Sequence, residues 1–295
     1  TRAGLARLWK ERGQPDLVHV HILLRPALTA RMLLRKHGIP YLISEQSSEY
    51  LDGRYASKNP GSKVLHKRLF HMASRITAVS GWLGDGLVKL GLCESYDVVP
   101  NVVPGLDRPL PAPGPAGAFM VVADLVDGTK NVSGVLRALA EARKTDVRIT
   151  LDVIGDGPDG PSLKELTRSL GLDEAVRFHG RLANRDVLER MAGTGAVIIN
   201  SNVETFSVVT GEALASGKPV IATRCGGPIA FITSENGLLI DVRSDDQLTS
   251  AMLRITREHA SYDPVAVRRT VSDRFSVEAV GARFFEIYQN LLHHA

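Results

Sequence analysis

The stretch Ala196–Gly227, AVIINSNVETFSVVTGEALASGKPVIATRCGG, decides the fold. AVIINS (Ala196–Ser201) is a short apolar, β-branched run and reads as a strand buried on both faces. The polar loop VETF leaves it, and a helix is predicted to begin near Ser207 and stop at Gly217. KPVIAT (Lys218–Thr223) is a second buried strand, closed by the pair Gly226-Gly227. Strand, helix and strand in this order make a parallel βαβ unit. Open parallel sheets hold their ligands outside the carboxyl ends of the strands, where VETF and the two glycines lie.

The same alternation runs through the chain. Strands are predicted over Leu17–Leu24, Ile39–Glu45, Arg75–Ser80 and Tyr96–Asn101, with helices over Ala27–Gly38, Ser62–Ser74 and Gly81–Gly91. The stretch Val103–Ala118, VPGLDRPLPAPGPAGA, is rich in proline and glycine and reads as a linker. Beyond it, strands at Ala118–Leu125, Arg148–Gly155 and Ala175–Gly180 alternate with helices at Asn131–Lys144, Ser162–Gly171 and Arg185–Gly193. The fold class expected is therefore α/β, with two Rossmann-like domains and a cleft between them. The boundaries expected are residues 1–104, a linker at 105–117, a second domain at 118–275, and a C-terminal helix at 276–295 that packs back on the first domain.

Composition bounds the function. The chain has 295 residues, 44% of them hydrophobic, and a formal net charge of +4. That suits a globular chain long enough to bury its own core, with a mild preference for anionic partners. Aromatic residues make up only 5% and nothing resembles a nucleic-acid module, so nucleic acid is not an expected partner. The two cysteines, Cys93 and Cys225, form neither a disulfide framework nor a metal-ligand spacing, which points to a reducing cytoplasm.

The decisive stretch also carries chemistry. The first N–H groups of its helix (Ser207, Val208, Val209) and the helix dipole form an anion site without any side chain. Glu212, a turn further on, suits a pair of hydroxyls such as a ribose diol, and Glu204 in the loop suits other hydroxyls such as those of a hexose. A glycine at Gly226 lets backbone approach a ligand closely. A bare pair of glutamates eight positions apart is more often solvated surface, so the surrounding strand, helix and glycines are what give this pair meaning.

NVETFSVVTGEALASGKPVIATRCGGP resembles the nucleotide-sugar site of retaining glycosyltransferases of family 4, which have the two-domain GT-B fold. PDLVHVH (Pro15–His21), IPYLISEQ (Ile39–Gln46), RITAVS and VVPNVV are similar to the family's acceptor-side domain. KNVSGVLRAL (Lys130–Leu139), LDVIGDGPDGPSLKEL (Leu151–Leu166), VRFHGRL and SENGLLID are similar to its donor-side domain. The resemblance implies that Glu204 contacts the transferred sugar together with backbone at Phe206, Ser207 and Val208. It implies that Glu212 holds the ribose and that Lys130 neutralises the diphosphate. Gly155 and Gly157 would let the nucleotide lie close, and Arg181 would sit near the base. His21 would lie near the reacting sugar, and Glu45, Gln46, Ser47 and Tyr50 would read acceptor hydroxyls; loop polar residues and a structural histidine are the plainer readings of the same positions.

The activity so implied is transfer of a sugar from a UDP- or GDP-type donor to a glycan or lipid-linked acceptor, with retention, in polysaccharide biosynthesis. No cofactor and no metal is expected, because no Asp-x-Asp motif is present. The basic residues of Ser62–Ser74 fit peripheral contact with the inner face of a membrane, or a solvated helix face. Two departures stand out. Asp124 occupies a position where the family usually has an arginine, and Arg224 or Arg181 is the candidate replacement. Few elements precede PDLVHVH, so the first domain is expected to be incomplete, with an unpaired sheet edge. A non-catalytic fragment that binds a sugar nucleotide or a glycan, and a non-hydrolysing sugar-nucleotide epimerase, are the alternatives.

Overall fold

The computed structural model describes Arg2–His293. The chain divides into two compact units, one reaching Pro100 and resuming at Val280, the other Asn101–Ala279.

The first unit contains α1 (Arg2–Arg12), β1 (Val18–His21), α2 (Leu24–His37), β2 (Tyr41–Glu45), α3 (Pro60–His71), β3 (Arg75–Ala78), α4 (Gly81–Lys89) and β4 (Asp97–Val98). Its four strands pair in parallel in the order β1-β2-β3-β4. Every residue of β2 is buried, as the central position of a sheet covered on both faces demands. Gly38 ends α2 in the left-handed conformation (φ 68°), and its N–H caps Leu34. Asn59 and Ser80 cap α3 and α4 through their side chains.

The second unit begins with β5 (Ala118–Val122), α5 (Asp127–Lys130), α6 (Val132–Thr145), β6 (Thr150–Ile154), α7 (Gly160–Ser169), β7 (Val176–Phe178) and α8 (Asn184–Ala192). It continues with β8 (Ala196–Ile199), α9 (Val208–Ala215), β9 (Val220–Thr223), β10 (Gly237–Ile240), α10 (Asp245–Glu258) and α11 (Pro264–Phe275). The six strands form one parallel sheet in the order β10-β9-β8-β5-β6-β7. Its core packs apolar residues of α6 and α10, such as Leu136, Leu139 and Met252, against Phe119, Val121 and Ile198 of the central strands. A last helix, α12 (Val277–His293), brings Val280 and Ile287 against Val99 in the first unit.

The proline-rich stretch 105–117 contains neither helix nor strand and lies within the second unit. It is fastened there. Lys218 Nζ donates to the Ala112 carbonyl (3.1 Å), Arg268 donates to that of Arg108 (2.9 Å), and a Cβ at Gly114 would strike the Thr194 carbonyl. These side chains give the carbonyls of a segment without a ladder partners that its own backbone does not supply.

In the first unit a polar chain crosses the strands. His19 places Nε2 2.6 Å from Ser44 Oγ, and Ser44 Oγ lies 2.7 Å from Thr77 Oγ1. His19 Nδ1 lies 2.6 Å from the Tyr288 hydroxyl of α12, and the His21 ring packs 3.9 Å from its own. Burial, reinforced by His21, lowers the His19 pKa from 6.5 to about 4. The unfolded chain therefore binds the extra proton first, and this contribution is present above pH 6.5 and lost as pH falls through about 4. Replacing His19 by Gln should flatten the decline of stability across that window, measured as denaturation midpoints against pH. An unchanged slope would show that His19 is not the group responsible.

Candidate functional site

The second sheet puts β8 and β5 side by side at its middle, so their carboxyl ends open at one place. The loop leaving β8 is held rather than loose. Glu204 forms a bridge with Gly226: its N–H donates to the Cys225 carbonyl (3.1 Å) and its carbonyl accepts from Gly227 (2.8 Å). A Cβ at Gly227 would collide with the Phe206 backbone, and Gly226 has φ 120°, a region that side chains disfavour. The paired glycines thus serve first to bring these two loops together. Phe206 is buried edge-on against the stacked pair Phe231 and Phe275, with ring centroids at 4.8 and 5.7 Å.

Ser207 then turns the chain. It adopts the left-handed conformation (φ 72°) and α9 starts at the next residue. Its Oγ accepts from Thr210 at 2.8 Å. A cavity of about 80 Å³ lies against the start of α9, lined by Ser207, Val208 and Val209, by Lys130 and Glu204, and by the ends of β5 and β8. The first N–H groups of α9 have no carbonyl within the helix to receive them. They and the Lys130 ammonium make this cavity electropositive on one side.

Lys130 is brought there by lacing between two loops. Asn202 N–H donates to the Thr129 carbonyl (2.7 Å), Asn202 Nδ2 to Gly128 (2.8 Å), and Asn200 Nδ2 to Asn131 (3.0 Å). Lys130 Nζ donates to Glu204 Oε1 at 2.5 Å, and Ser201 Oγ donates to the same oxygen at 2.8 Å. Lys130 and Glu204, read separately from the sequence, therefore meet directly.

Glu212 is the one charged residue of α9, a helix buried on nearly every side. It is 4% exposed, and Asn184 Nδ2, at the start of α8, donates to its Oε1 at 2.7 Å. Burial pushes its carboxyl pKa up, against the pull of that hydrogen bond. Asn184 and Ser201 carry no sequence signal that marks them out; only the fold brings them to these carboxylates.

The remaining donor-side residues fall as follows. Gly155 (φ 133°) and Gly157 sit where a Cβ would strike the carbonyls of Ala123 and Leu125, so their first role is the close packing of two strand ends. Asp124 is met by Arg181, whose Nη2 lies 3.5 Å from Oδ1, both largely exposed. Arg224 pairs with Asp241 at 3.8 Å instead. His179 Nε2 lies 2.7 Å from Asp152 Oδ1, which fixes the turn before Arg181.

In the first unit, His21 ends β1 with its side chain exposed. Glu45 and Tyr50 face inward. Glu45 is 1% exposed, and its Oε1 accepts from the N–H groups of Gln46 and Ser47 at 2.8 Å each. Burial raises the pKa of both Glu45 and Tyr50. Gln46 is partly exposed, and Ser47 caps the short turn Ser48–Tyr50. On α3, His66 is buried with Nδ1 2.7 Å from the Ser62 carbonyl, while Lys67, Arg68 and His71 face outward. Among the described residues no helix is long and apolar enough to cross a membrane.

The buried Glu212 has a measurable cost. A carboxyl whose folded pKa is raised contributes stability below its unfolded pKa and loses it as pH rises through the folded value. Glu212→Gln should therefore raise Tm near neutral pH, with a gain that shrinks toward the ordinary carboxylate range. A lower Tm at neutral pH would contradict this assignment.

The chain is similar to known proteins along most of its length. The model for "Glycosyl transferases group 1" matches residues 111–264, and that for "Glycosyl transferase 4-like domain" matches residues 1–102. The chain is 31% identical to the lipopolysaccharide core biosynthesis glycosyltransferase LpsD of Rhizobium meliloti (strain 1021) over 212 residues, 68% of this chain and 59% of that one. It is 26% identical to a D-inositol 3-phosphate glycosyltransferase of Saccharomonospora viridis over 278 residues, 84% of this chain and 63% of that one. The chain thus spans about three fifths of the length of these curated relatives. Among solved structures, Anabaena Alr3699/HepE in complex with UDP superimposes with a TM-score of 0.79 at 18% identity, covering 98% of this chain and 81% of that one. The fold is that of the GT-B glycosyltransferases, two Rossmann-like domains built on parallel sheets. The match at 111–264 covers more than half of the 295 residues, and the chain belongs to the glycosyl transferases group 1 family.

Proposed function

We propose that this chain transfers a sugar from a nucleoside-diphosphate donor to a hydroxyl of a glycan or lipid-linked acceptor, with retention of anomeric configuration. The observation that carries this reading is the convergence of Lys130, Glu204 and the start of α9 on one cavity. An anion at a helix N-terminus beside a lysine is held by charge and by directed N–H groups together. The carboxylate next to it accepts hydroxyl hydrogens, as a hexose provides. Glu212 accepts those of the ribose. A relative named for lipopolysaccharide core biosynthesis supports a glycan acceptor, and a similar structure solved with UDP supports a nucleoside-diphosphate donor.

In the reaction the bond between the anomeric carbon and the phosphate oxygen breaks, and the acceptor oxygen bonds to that carbon. The acceptor proton passes to the departing diphosphate. Negative charge grows on the leaving group, and Lys130 with the α9 amides stabilises it where it develops. Arg181, drawn to Asp124, is the further cation beside the donor. The outward Lys67, Arg68 and His71 of α3 support contact with an anionic membrane surface on which a lipid-linked acceptor is held.

Transfer assays with UDP- and GDP-sugars test this. Lys130→Ala and Glu204→Ala should each lower kcat by about a hundredfold, the loss expected for one electrostatic contact to the leaving group or sugar. Glu212→Ala should chiefly raise donor KM. Wild-type kinetics in all three variants would overturn the site.

A further inference from the structure

The ion pair at the centre of this site constrains what the site can accept. Lys130 and Glu204 are mostly shielded, with side chains 24% and 17% exposed. The backbones of both are held in place. The loop carrying Lys130 is laced through its Gly128, Thr129 and Asn131 carbonyls to Asn200 and Asn202, and the backbone of Glu204 is pinned on both sides by the loop after β9. The Ser201 hydroxyl donates to the same carboxylate oxygen as Lys130. An anion seated at the start of α9 competes with Glu204 for the ammonium.

The outcome depends on what accompanies the anion. A free nucleoside diphosphate ends in a phosphate with an extra negative charge. It draws Lys130 away and leaves a shielded carboxylate beside added negative charge. Both effects raise the free energy of the complex. In an intact nucleotide sugar the terminal phosphate is esterified and carries one charge less. Its sugar hydroxyls also give Glu204 new donors at the moment Lys130 turns to the phosphate. Like-charge juxtaposition of this kind is a common means of rejecting a wrong ligand.

We propose that the Lys130–Glu204 pair makes the site discriminate against free nucleoside diphosphate relative to the intact sugar donor, and so hastens release of the product. This rests on the reading of the cavity as a donor site. It gives Glu204 a second task besides contact with the sugar, and a substitution that harms transfer should improve binding of the product.

The test is calorimetric titration of the full chain with UDP and UDP-glucose, or with GDP and GDP-mannose if the guanine nucleotide is the one bound. Glu204→Gln should tighten binding of the free diphosphate by about tenfold, the scale of removing one charge a few ångströms away at a partly screened site. Binding of the sugar nucleotide should not tighten. Lys130→Ala combined with Glu204→Gln should lose the gain. Glu204→Ala, which also removes the carboxylate, is read beside it so that a folding defect in one variant does not decide the result. Unchanged or weaker diphosphate binding in both Glu204 variants would overturn the role of the pair while leaving the donor site standing. Failure of the wild-type chain to bind any of these four ligands would overturn the donor site itself.

Discussion

Ser207 holds a left-handed backbone, a conformation that costs a residue with a Cβ of order 1 kcal/mol. That reversal turns the start of α9 toward the ends of β5 and β8. The surroundings over-determine it: Phe206 is locked among aromatic rings on one side, and Thr210 donates to the Ser207 hydroxyl on the other. Local strain that persists because packing enforces it is a common feature of binding sites. Without the turn, the α9 amides would not face the cavity, and Lys130 would be a lone cation at a loop end.

The charges follow from the same packing. Two loops from different parts of the unit are each seated with the help of a glycine: a Cβ at Gly155 would strike Ala123, ahead of the Lys130 loop, and one at Gly227 would strike Phe206, in the Glu204 loop. Once they meet, Asn200 and Asn202 lace them and set Lys130 against Glu204. Glu212 shows the reverse face of this design. A carboxylate inside a largely buried helix lowers the stability of the protein at neutral pH, a cost that the proposed ribose contact would offset.

Much of this was legible in the sequence. Buried β-branched runs alternating with amphipathic helices gave the parallel sheets, because each element's period is fixed by its own backbone. The segment between β8 and β9 gave the strand, loop and helix start that now line a cavity, since an apolar run and a glycine stop fix those elements. Side-chain direction in loops was not legible. Glu45 and Tyr50 follow a strand end and read as hydroxyl readers, yet both turn inward, where Glu45 satisfies two backbone amides. A loop has no period from which to foresee this. Asn184, Ser201 and His19 are ordinary residues in the sequence and gain their partners only from chain segments brought together in space. The proline-rich stretch lacks regular structure, as its composition dictates, but the carbonyls that hold it to the second unit depend on Lys218 and Arg268 far along the chain.

The claim at the centre is that a nucleoside diphosphate binds at the start of α9. Amide hydrogen exchange measured residue by residue, with and without saturating UDP, GDP or ADP, addresses it most directly. Amides at a helix start lack intrahelical acceptors and exchange readily unless a ligand covers them. The account predicts that one nucleotide slows exchange at Ser207, Val208 and Val209, with smaller changes around Lys130. Protection that appears elsewhere, with those three amides unchanged, would contradict it.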